Sequence, residues 1–120
     1  MAQEYLLYGT DKRVLSSRFD GKPHPRSIKF TDDPGLAYRW SVIRHGDVFN
    51  KYPVVMVLNN PKRYHPREIC SRGFGQMYQL YAINLRRTPI NHHDEDVSIL
   101  EKPSLEELCA LVEELRRKNP

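Results

Sequence analysis

Residues 52–58 read Tyr-Pro-Val-Val-Met-Val-Leu. A near-continuous apolar run rich in valine is typical of a strand that is buried on both faces. The sequence Asn-Asn-Pro at residues 59–61 ends the run, because asparagine favours turns and proline cannot donate a ladder hydrogen bond. A doubly buried strand needs neighbouring strands and cover on both faces, so the stretch predicts a sheet with helices packed against it.

Shorter apolar runs predict the rest of the sheet, and they lie near residues 4–8, 27–30, 77–85 and 97–100. We expect residues 9–11, Gly-Thr-Asp, to close the first run as a turn, with Val14 and Leu15 in a weak extended segment. The connection over residues 59–76 holds two prolines and two glycines. We therefore expect it to be long and irregular.

A first helix is predicted from Pro34, because a missing N–H costs nothing at the first helical position and Asp33 is placed to cap it. The helix is expected to end near His45 and Gly46. Its apolar face comprises Leu36, Ala37, Trp40 and Ile43. We expect Leu36 and Trp40 to share one core with residues 54–58.

A second helix is predicted near the C-terminus, after a capping box made by Ser104 and Glu107. Its apolar stripe comprises Leu105, Leu108, Cys109, Val112 and Leu115. Cys109 and the other cysteine, Cys70, are far apart and outside any metal or redox spacing. We expect both thiols to be buried and inert.

These elements predict an α+β fold, as a single small domain over residues 1–120 with a mixed central β-sheet and two main helices. The chain has no run of about 18 apolar residues, so we expect no membrane partner. Its first residues lack the features of a secretory signal peptide. A cytoplasmic location is therefore expected.

Charge is unevenly distributed along the chain. Residues 1–90 carry 15 Lys and Arg against 7 Asp and Glu, whereas residues 91–120 carry 4 against 8. A basic body of this kind suits a polyanion: a phosphate, a dinucleotide, a nucleic acid or an acidic protein surface. Ordinary solvated faces would give the same counts, so charge alone leaves the function open.

One basic stretch interleaves cations with an aromatic ring, and its members are Lys62, Arg63, Tyr64, Arg67 and Arg72. Its charges are suited to phosphates and Tyr64 to stacking on a base. A solvated loop whose tyrosine covers the core is the alternative. Residues 92–96, His-His-Asp-Glu-Asp, have no second ligand pair at zinc-like spacing, and we expect no metal.

The order of short motifs resembles the small ADP-ribosyltransferase fold over roughly residues 4–85. A strand ends in Tyr-Gly-Thr at residues 8–10, where that family has His-Gly-Thr or Arg-Gly at the opening of a NAD cleft. Phe-Thr-Asp-Asp at residues 30–33, followed by Ala37 and Tyr38, is similar to the family's second strand and helix. The resemblance implies NAD as ligand, held by Tyr8, Thr10, Arg13 and Phe30, with Arg13, Arg26 or Lys29 near its pyrophosphate.

The same resemblance raises the question of activity. In that family a glutamate near the start of a later strand holds the nicotinamide ribose and stabilises its oxocarbenium-like transition state. Gln79 or Gln76 stands near that place here, and Glu68 in the preceding segment is a possible substitute. A glutamine keeps the hydrogen bond to the ribose but lacks the charge, so transfer is either lost or altered.

Two other readings remain open. Tyr-Gly-Thr after a strand also resembles the opening of the gamma-glutamylcyclotransferase family, whose glycine pattern and general-base glutamate are missing from this chain. The main alternative is a non-catalytic binder of the phage- or mobile-element-encoded inhibitor type, acting on a nucleic acid or a host protein complex. A single cleft lined by Tyr8, Thr10, Phe30 and Gln79 would favour the transferase-like reading.

Overall fold

The computed structural model describes residues 4–44, 48–73 and 75–118, which form three helices and two three-stranded antiparallel sheets. The predicted α+β class is confirmed. The strands are β1 (Leu6–Asp11), β2 (Ser27–Phe30), β3 (Ile43–Arg44), β4 (Val48–Phe49), β5 (Pro53–Leu58), β6 (Arg67–Gly73), β7 (Gln76–Asn84) and β8 (Val97–Glu101). The helices are α1 (Lys12–Arg18), α2 (Pro34–Val42) and α3 (Leu105–Lys118), with a 3-10 helix at Pro61–Tyr64.

No helix in this described part of the chain is long and apolar enough to cross a membrane.

Helix α2 begins at Pro34, where the sequence predicts it. The Asp33 carboxylate caps it by accepting the N–H of Gly35 at 2.9 Å. The helix ends at Val42, earlier than the end predicted near His45 and Gly46, because Ile43 is already extended and belongs to β3. His45 and Gly46 themselves lie outside the described residues.

The valine-rich run forms β5, the central strand of a sheet in the order β1-β5-β8. Val55 and Val57 pack in one buried cluster with Ala37 of α2 and Leu108 of α3. The alternate residues of β5, represented by Met56, enter the main core on the other face. We call this the closed sheet, because both faces of its central strand are covered.

A second sheet has the order β2-β7-β6. Tyr81 and Ile83 of β7 enter the main core together with Phe30 of β2. The strand register pairs Lys29 with Ala82, and side chains alternate along each strand, so both lie on the opposite face. We call this the open sheet and that face its outer face.

The two sheets meet through one pair of backbone hydrogen bonds. The Leu7 N–H donates to the Thr31 carbonyl at 2.7 Å, and the Thr31 N–H donates to the Leu7 carbonyl at 2.9 Å. These six strands thus form two antiparallel sheets where the sequence predicted one mixed sheet, and β3 and β4 pair with each other in a separate two-stranded antiparallel ladder. Beyond the contact between Leu7 and Thr31, β1 and β2 separate, and a cleft lies between them.

A third helix lies where the sequence predicted a turn and a weak strand. β1 continues to Asp11, whose carboxylate accepts the N–H of Arg13 at 2.8 Å and caps α1. Leu15 and Phe19, four residues apart, are buried on one side of this segment. The prediction for residues 9–15 is wrong, because strand and helix follow each other without an intervening turn.

Part of the predicted irregular connection at residues 59–76 is also regular, since it contains the 3-10 helix and β6. β6 has few apolar residues and is exposed along much of its length. Its backbone pairs with β7 from Arg67 to Gly73. An edge strand of this kind forms because the neighbouring strand offers it backbone hydrogen bonds. A hydrophobic pattern in the sequence does not reveal such pairing.

The predicted capping box begins α3, with the Glu107 N–H donating to Ser104 Oγ at 3.1 Å.

Three side chains that were predicted to be buried are more accessible to solvent than expected. Cys109 on α3 lies beside the buried Leu108 and is exposed, as is Cys70 on β6. Trp40 is half-buried and stands at the wall of the cleft, outside the clusters that hold the residues of β5.

Candidate functional site

The cleft between β1 and β2 has a volume of about 680 Å³. Its walls are the second half of β1, α1, the edge of β2 and the end of α2. The side chains that give it chemical character are Tyr8, Thr10, Arg18, Arg26, Lys29 and Trp40. A volume between about 300 and 1,000 Å³ is usual for small-molecule sites.

Gly9 has a packing reason for standing at this cleft. A Cβ at residue 9 would lie 1.9 Å from the Ala37 carbonyl oxygen and 2.7 Å from the Ser41 nitrogen. Only glycine therefore allows α2 to cross β1 so closely. Tyr8 and Thr10 point to the other face of the strand, where both line the cleft.

Tyr8 is held in place by aromatic neighbours and one arginine. Its ring centroid lies 5.7 Å from that of Phe19, 5.3 Å from Phe30 and 6.0 Å from Trp40. Arg18 Nη1 donates to the Tyr8 hydroxyl at 3.2 Å. Phe30 is fully buried. It supports Tyr8 from behind and does not line the cleft itself.

Among the described residues that line the cleft, the one with a carboxylate is Asp11. Both oxygens of this carboxylate are bound by Arg13. The Asp11 oxygens accept the Arg13 Nε–H at 3.0 Å and the Nη2–H at 2.6 Å. This pairing raises the pKa of the Arg13 guanidinium, which also lies 5.5 Å from the centre of the Tyr52 ring. The predicted ligand Arg13 is thus directed away from the cleft, and Arg18 of the same helix lines it instead.

Asn50 joins the walls of the cleft. Its Nδ2 donates to the Thr10 carbonyl at 3.2 Å and to the Ser41 carbonyl at 2.8 Å, and its Oδ1 accepts the Tyr52 N–H at 3.1 Å. Three residues line the cleft that were not predicted from the sequence to do so, namely Asn50, Arg18 and Trp40. A helical reading of residues 12–18 would have found Arg18, whereas Asn50 gives no local signal.

The open sheet places the two predicted catalytic residues away from the cleft. Gln79 on β7 pairs with Cys70, and Glu68 on β6 pairs with Tyr81. Both side chains are exposed and belong to the face of the sheet opposite to Lys29. The structure brings Tyr8 and Thr10 together but does not add Gln79 or Glu68 to them.

The predicted base-stacking residue, Tyr64, is 2% exposed and packs in the main core. It cannot stack on a base, so its prediction is corrected: it covers the core, and burial raises its pKa. Arg63 is committed to ion pairs with Asp94 at 3.3 Å and Asp96 at 2.7 Å. Lys62 remains exposed on the 3-10 helix.

His92, in the stretch at residues 92–96, connects this segment to the end of α1. His92 Nδ1 hydrogen-bonds to the Phe19 carbonyl at 2.7 Å, and the His92 N–H donates to the same carbonyl at 2.9 Å. Within the ranges that the structure describes, no group of three or more His, Cys, Asp or Glu side chains is arranged to hold a metal ion.

Arg67 and Arg72 line two smaller depressions on the open sheet. The first, of about 580 Å³, is lined by Ser27, Arg67 and Arg87 among others. The second, of about 220 Å³, is lined by Lys29, Trp40 and Arg72 among others. Ser27 also lines the cleft, as do Lys29 and Trp40. The three depressions therefore adjoin one another.

A separate polar cluster around Asp32 joins the residue before β1 to β7 and α3. The Tyr5 hydroxyl donates to the Asp32 carbonyl at 3.2 Å, and the Tyr81 hydroxyl donates to its carboxylate at 3.5 Å. Arg116 Nε donates to the Tyr5 hydroxyl at 3.1 Å. Burial raises the pKa of Asp32, and the nearby Arg116 opposes this only in part.

No family model, no curated protein and no solved structure matches this chain. The likeness of its short motifs to ADP-ribosyltransferases therefore stays a prediction from the sequence. The function has to be argued from the cleft itself.

Proposed function

We propose that the cleft binds a dinucleotide of the NAD type and that the chain holds it without transferring its ADP-ribose. The observation that carries the proposal is that Tyr8 and Thr10 share one cleft with Arg18, Arg26 and Lys29. These are the residue types that a ligand with two phosphates and two planar rings requires.

The cations supply the phosphate contacts. Arg26 and Lys29 are exposed at the edge of β2, and neither makes an ion pair with a carboxylate in the described part of the chain. Charged hydrogen bonds from arginine and lysine to phosphate are among the stronger polar contacts in proteins. Because Arg18 is held by the Tyr8 hydroxyl, Arg26 and Lys29 are the better candidates for the pyrophosphate.

The aromatic side chains supply flat surfaces for a ring of the ligand. Tyr8 and Trp40 both line the cleft, and both are partly exposed. Phe19 and Phe30 fix the position of Tyr8, so little side-chain entropy remains to be lost on binding. Nicotinamide or adenine would stack on either ring.

The same cleft lacks the group that transfer requires. A developing oxocarbenium ion is stabilised by a free negative charge nearby. Asp11 is 3% exposed and bound on both oxygens by Arg13, while Glu68 lies on the far strand of the open sheet. We therefore propose binding with weak or absent hydrolysis and transfer, in a cytoplasmic setting where NAD is available.

Calorimetry with NAD tests the proposal. Trp40 is the only tryptophan of the chain, so its fluorescence gives a second readout from the cleft wall. We expect saturable heat and a change in Trp40 emission at up to millimolar NAD. Arg26→Ala combined with Lys29→Ala should weaken binding by about ten-fold or more, since two charged phosphate contacts are removed.

The matched control is Lys62→Ala combined with Arg86→Ala, which removes the same charge at two exposed residues that do not line the cleft. It should bind NAD like the parent. Gln79→Glu should leave NAD as intact as the parent does, because Gln79 lies outside the cleft. Absence of heat and of any fluorescence change at millimolar NAD would overturn the proposal.

The alternative, a non-catalytic inhibitor that binds a nucleic acid or an acidic host protein, is favoured by a different observation. Arg67, Arg72 and Arg87 are exposed on the open sheet and, within the described ranges, have no carboxylate partner within 4.0 Å. Failure of NAD binding together with tight, salt-sensitive binding of a polyanion would support this alternative.

A further inference from the structure

The outer face of the open sheet is a concave surface with cations along it. The cleft and the two smaller depressions adjoin through Ser27, Lys29 and Trp40, and we call this combined surface the basic groove. Its exposed cations are Arg26, Lys29, Arg67 and Arg87. They come from β2 and the residue before it, from β6 and from the turn after β7, so the charge extends across the sheet. Arg72 borders the β6 end, but it pairs with Met77 and by alternation its side chain belongs to the other face of the sheet.

The positive charge of the basic groove is not balanced locally. Among the described residues that line it, Asp11 is the carboxylate, and Arg13 already neutralises it. Other cations of the chain are paired, for example Lys12 with Glu101 and Arg63 with Asp94. A row of uncompensated cations in a depression raises the local concentration of polyanions.

The floor of the groove adds partly exposed rings to this charge. Trp40 and Tyr78 line the depression at the β6 end, above the buried Leu80. Aromatic faces beside a cationic track are the feature that lets proteins hold unpaired bases, with about 1–3 kcal/mol of stacking per base. An acidic protein segment would use the charges but would have no specific use for the rings.

We propose that the basic groove binds single-stranded nucleic acid, with phosphates near Arg67, Arg87 and Lys29 and bases against Trp40 and Tyr78. The surface is a depression across a sheet, whereas readers of duplex DNA usually insert a protruding helix or strand pair into a groove. This proposal does not depend on dinucleotide binding. The groove differs from the basic stretch predicted from the sequence, because Lys62, Arg63 and Tyr64 do not line it.

Fluorescence anisotropy with a labelled single strand of about 12 nucleotides tests the proposal, in DNA and RNA forms and between about 50 and 200 mM salt. The parent should bind both forms or one of them, and Trp40 emission should change on binding. Arg67→Glu combined with Arg87→Glu should weaken binding by about ten-fold or more. It should also lower the salt slope by about 1.4, because each lost contact to a single strand removes about 0.7.

The matched control is Lys62→Glu combined with Arg86→Glu, which makes the same change in charge at exposed residues outside the groove. It should keep the affinity to within about two-fold and keep the salt slope. Arg67→Lys combined with Arg87→Lys should retain most of the binding, and melting curves should show every variant folded.

Arg67 and Arg87 do not line the cleft, so their reversal should leave NAD calorimetry unchanged. The two proposals can therefore fail separately. The groove proposal is overturned if the parent does not bind a single strand at low salt, or if the control loses as much affinity as the groove variant. It is also overturned if polyglutamate of the same length competes equally well, which would indicate an acidic protein partner, or if a duplex is preferred.

Discussion

The closed and open sheets each have three strands, but they differ in what covers them. In the closed sheet, β5 has apolar residues on both faces, because helices cover one face and the main core covers the other. In the open sheet, β7 buries Tyr81 and Ile83 on one face, while the other face carries the basic groove. The comparison indicates that the closed sheet holds the fold together and the open sheet offers surface to a ligand.

The largest expected effect comes from breaking the contact between β1 and α2. Gly9→Ala would place a Cβ 1.9 Å from a backbone oxygen, and neither element can move without disturbing the closed sheet. We expect a loss of about 3 kcal/mol or more in the free energy of unfolding, measured by urea denaturation. Gly35→Ala, in the first turn of α2, is the control and should change stability by less than about 1 kcal/mol. A tolerated Gly9→Ala would mean that α2 does not cross β1 so closely.

The second-largest loss of stability is expected when a buried side chain of α3 is shortened where this helix covers the closed sheet. Leu108 is fully buried in one cluster with Val55 and Val57, so Leu108→Ala should cost about 2–5 kcal/mol. Cys109→Ala, at the exposed neighbouring residue, should change stability by less than about 0.5 kcal/mol. Equal losses for the two variants would contradict the helix orientation described above.

Trp40 distinguishes the wall of the groove from the core. Because it is half-buried, Trp40→Ala should cost about 1–2 kcal/mol, less than the 3–5 kcal/mol typical of a fully buried tryptophan. The same variant should weaken binding of NAD and of single strands, since Trp40 lines both depressions. A loss above about 3 kcal/mol in urea denaturation would support the core position that the sequence predicted.

The smallest effect concerns Asp32, where the two sheets and α3 meet. Burial raises the pKa of its carboxyl, so the folded chain holds this proton more tightly than the unfolded chain does. Ionisation therefore costs stability as the pH rises through the unfolded value of about 3.9 and then the raised folded value. Asp32→Asn should be more stable than the parent at pH 7 by less than about 1 kcal/mol, because solvent screens the half-exposed carboxylate.

The pH dependence checks the assignment. The advantage of Asp32→Asn should disappear below about pH 4, where the parent carboxyl is protonated in both states. Asp33→Asn is the control, because asparagine caps a helix as well as aspartate does. An Asp32→Asn variant that is less stable than the parent at neutral pH would show that Arg116 outweighs the burial of this carboxylate.

Elements with a strong local pattern could be predicted from the sequence. The apolar run of β5, the Asp33-Pro34 start of α2 and the capping box of α3 all stand where they were expected. β6 could not be predicted, since its polar residues form a strand only because β7 offers a ladder. α1 was missed because its seven residues expose most of their surface and bury little besides Leu15.

The residues of the candidate site likewise fall into some that were predicted correctly from the sequence and some that were not. Tyr8 and Thr10 were predicted for the cleft and line it, but Arg13 turns to Asp11, and Gln79 lies on the other face of the open sheet. Tyr64 was expected in a basic loop and is buried. A residue type reports what chemistry a side chain offers, whereas its direction depends on register and on partners distant in the sequence.

The amino-acid pattern was sufficient to predict the α+β class, the central strand of the closed sheet, the starts of α2 and α3, and the basic character of residues 1–90. These features depend on hydrophobic period, capping chemistry and composition, which act over a few residues or over the whole chain. The division into separate sheets, the need for glycine at residue 9 and the position of Arg26, Lys29, Arg67 and Arg87 along one groove became visible in the folded chain alone. Those features depend on strand order and on close backbone packing between segments that are distant in the sequence.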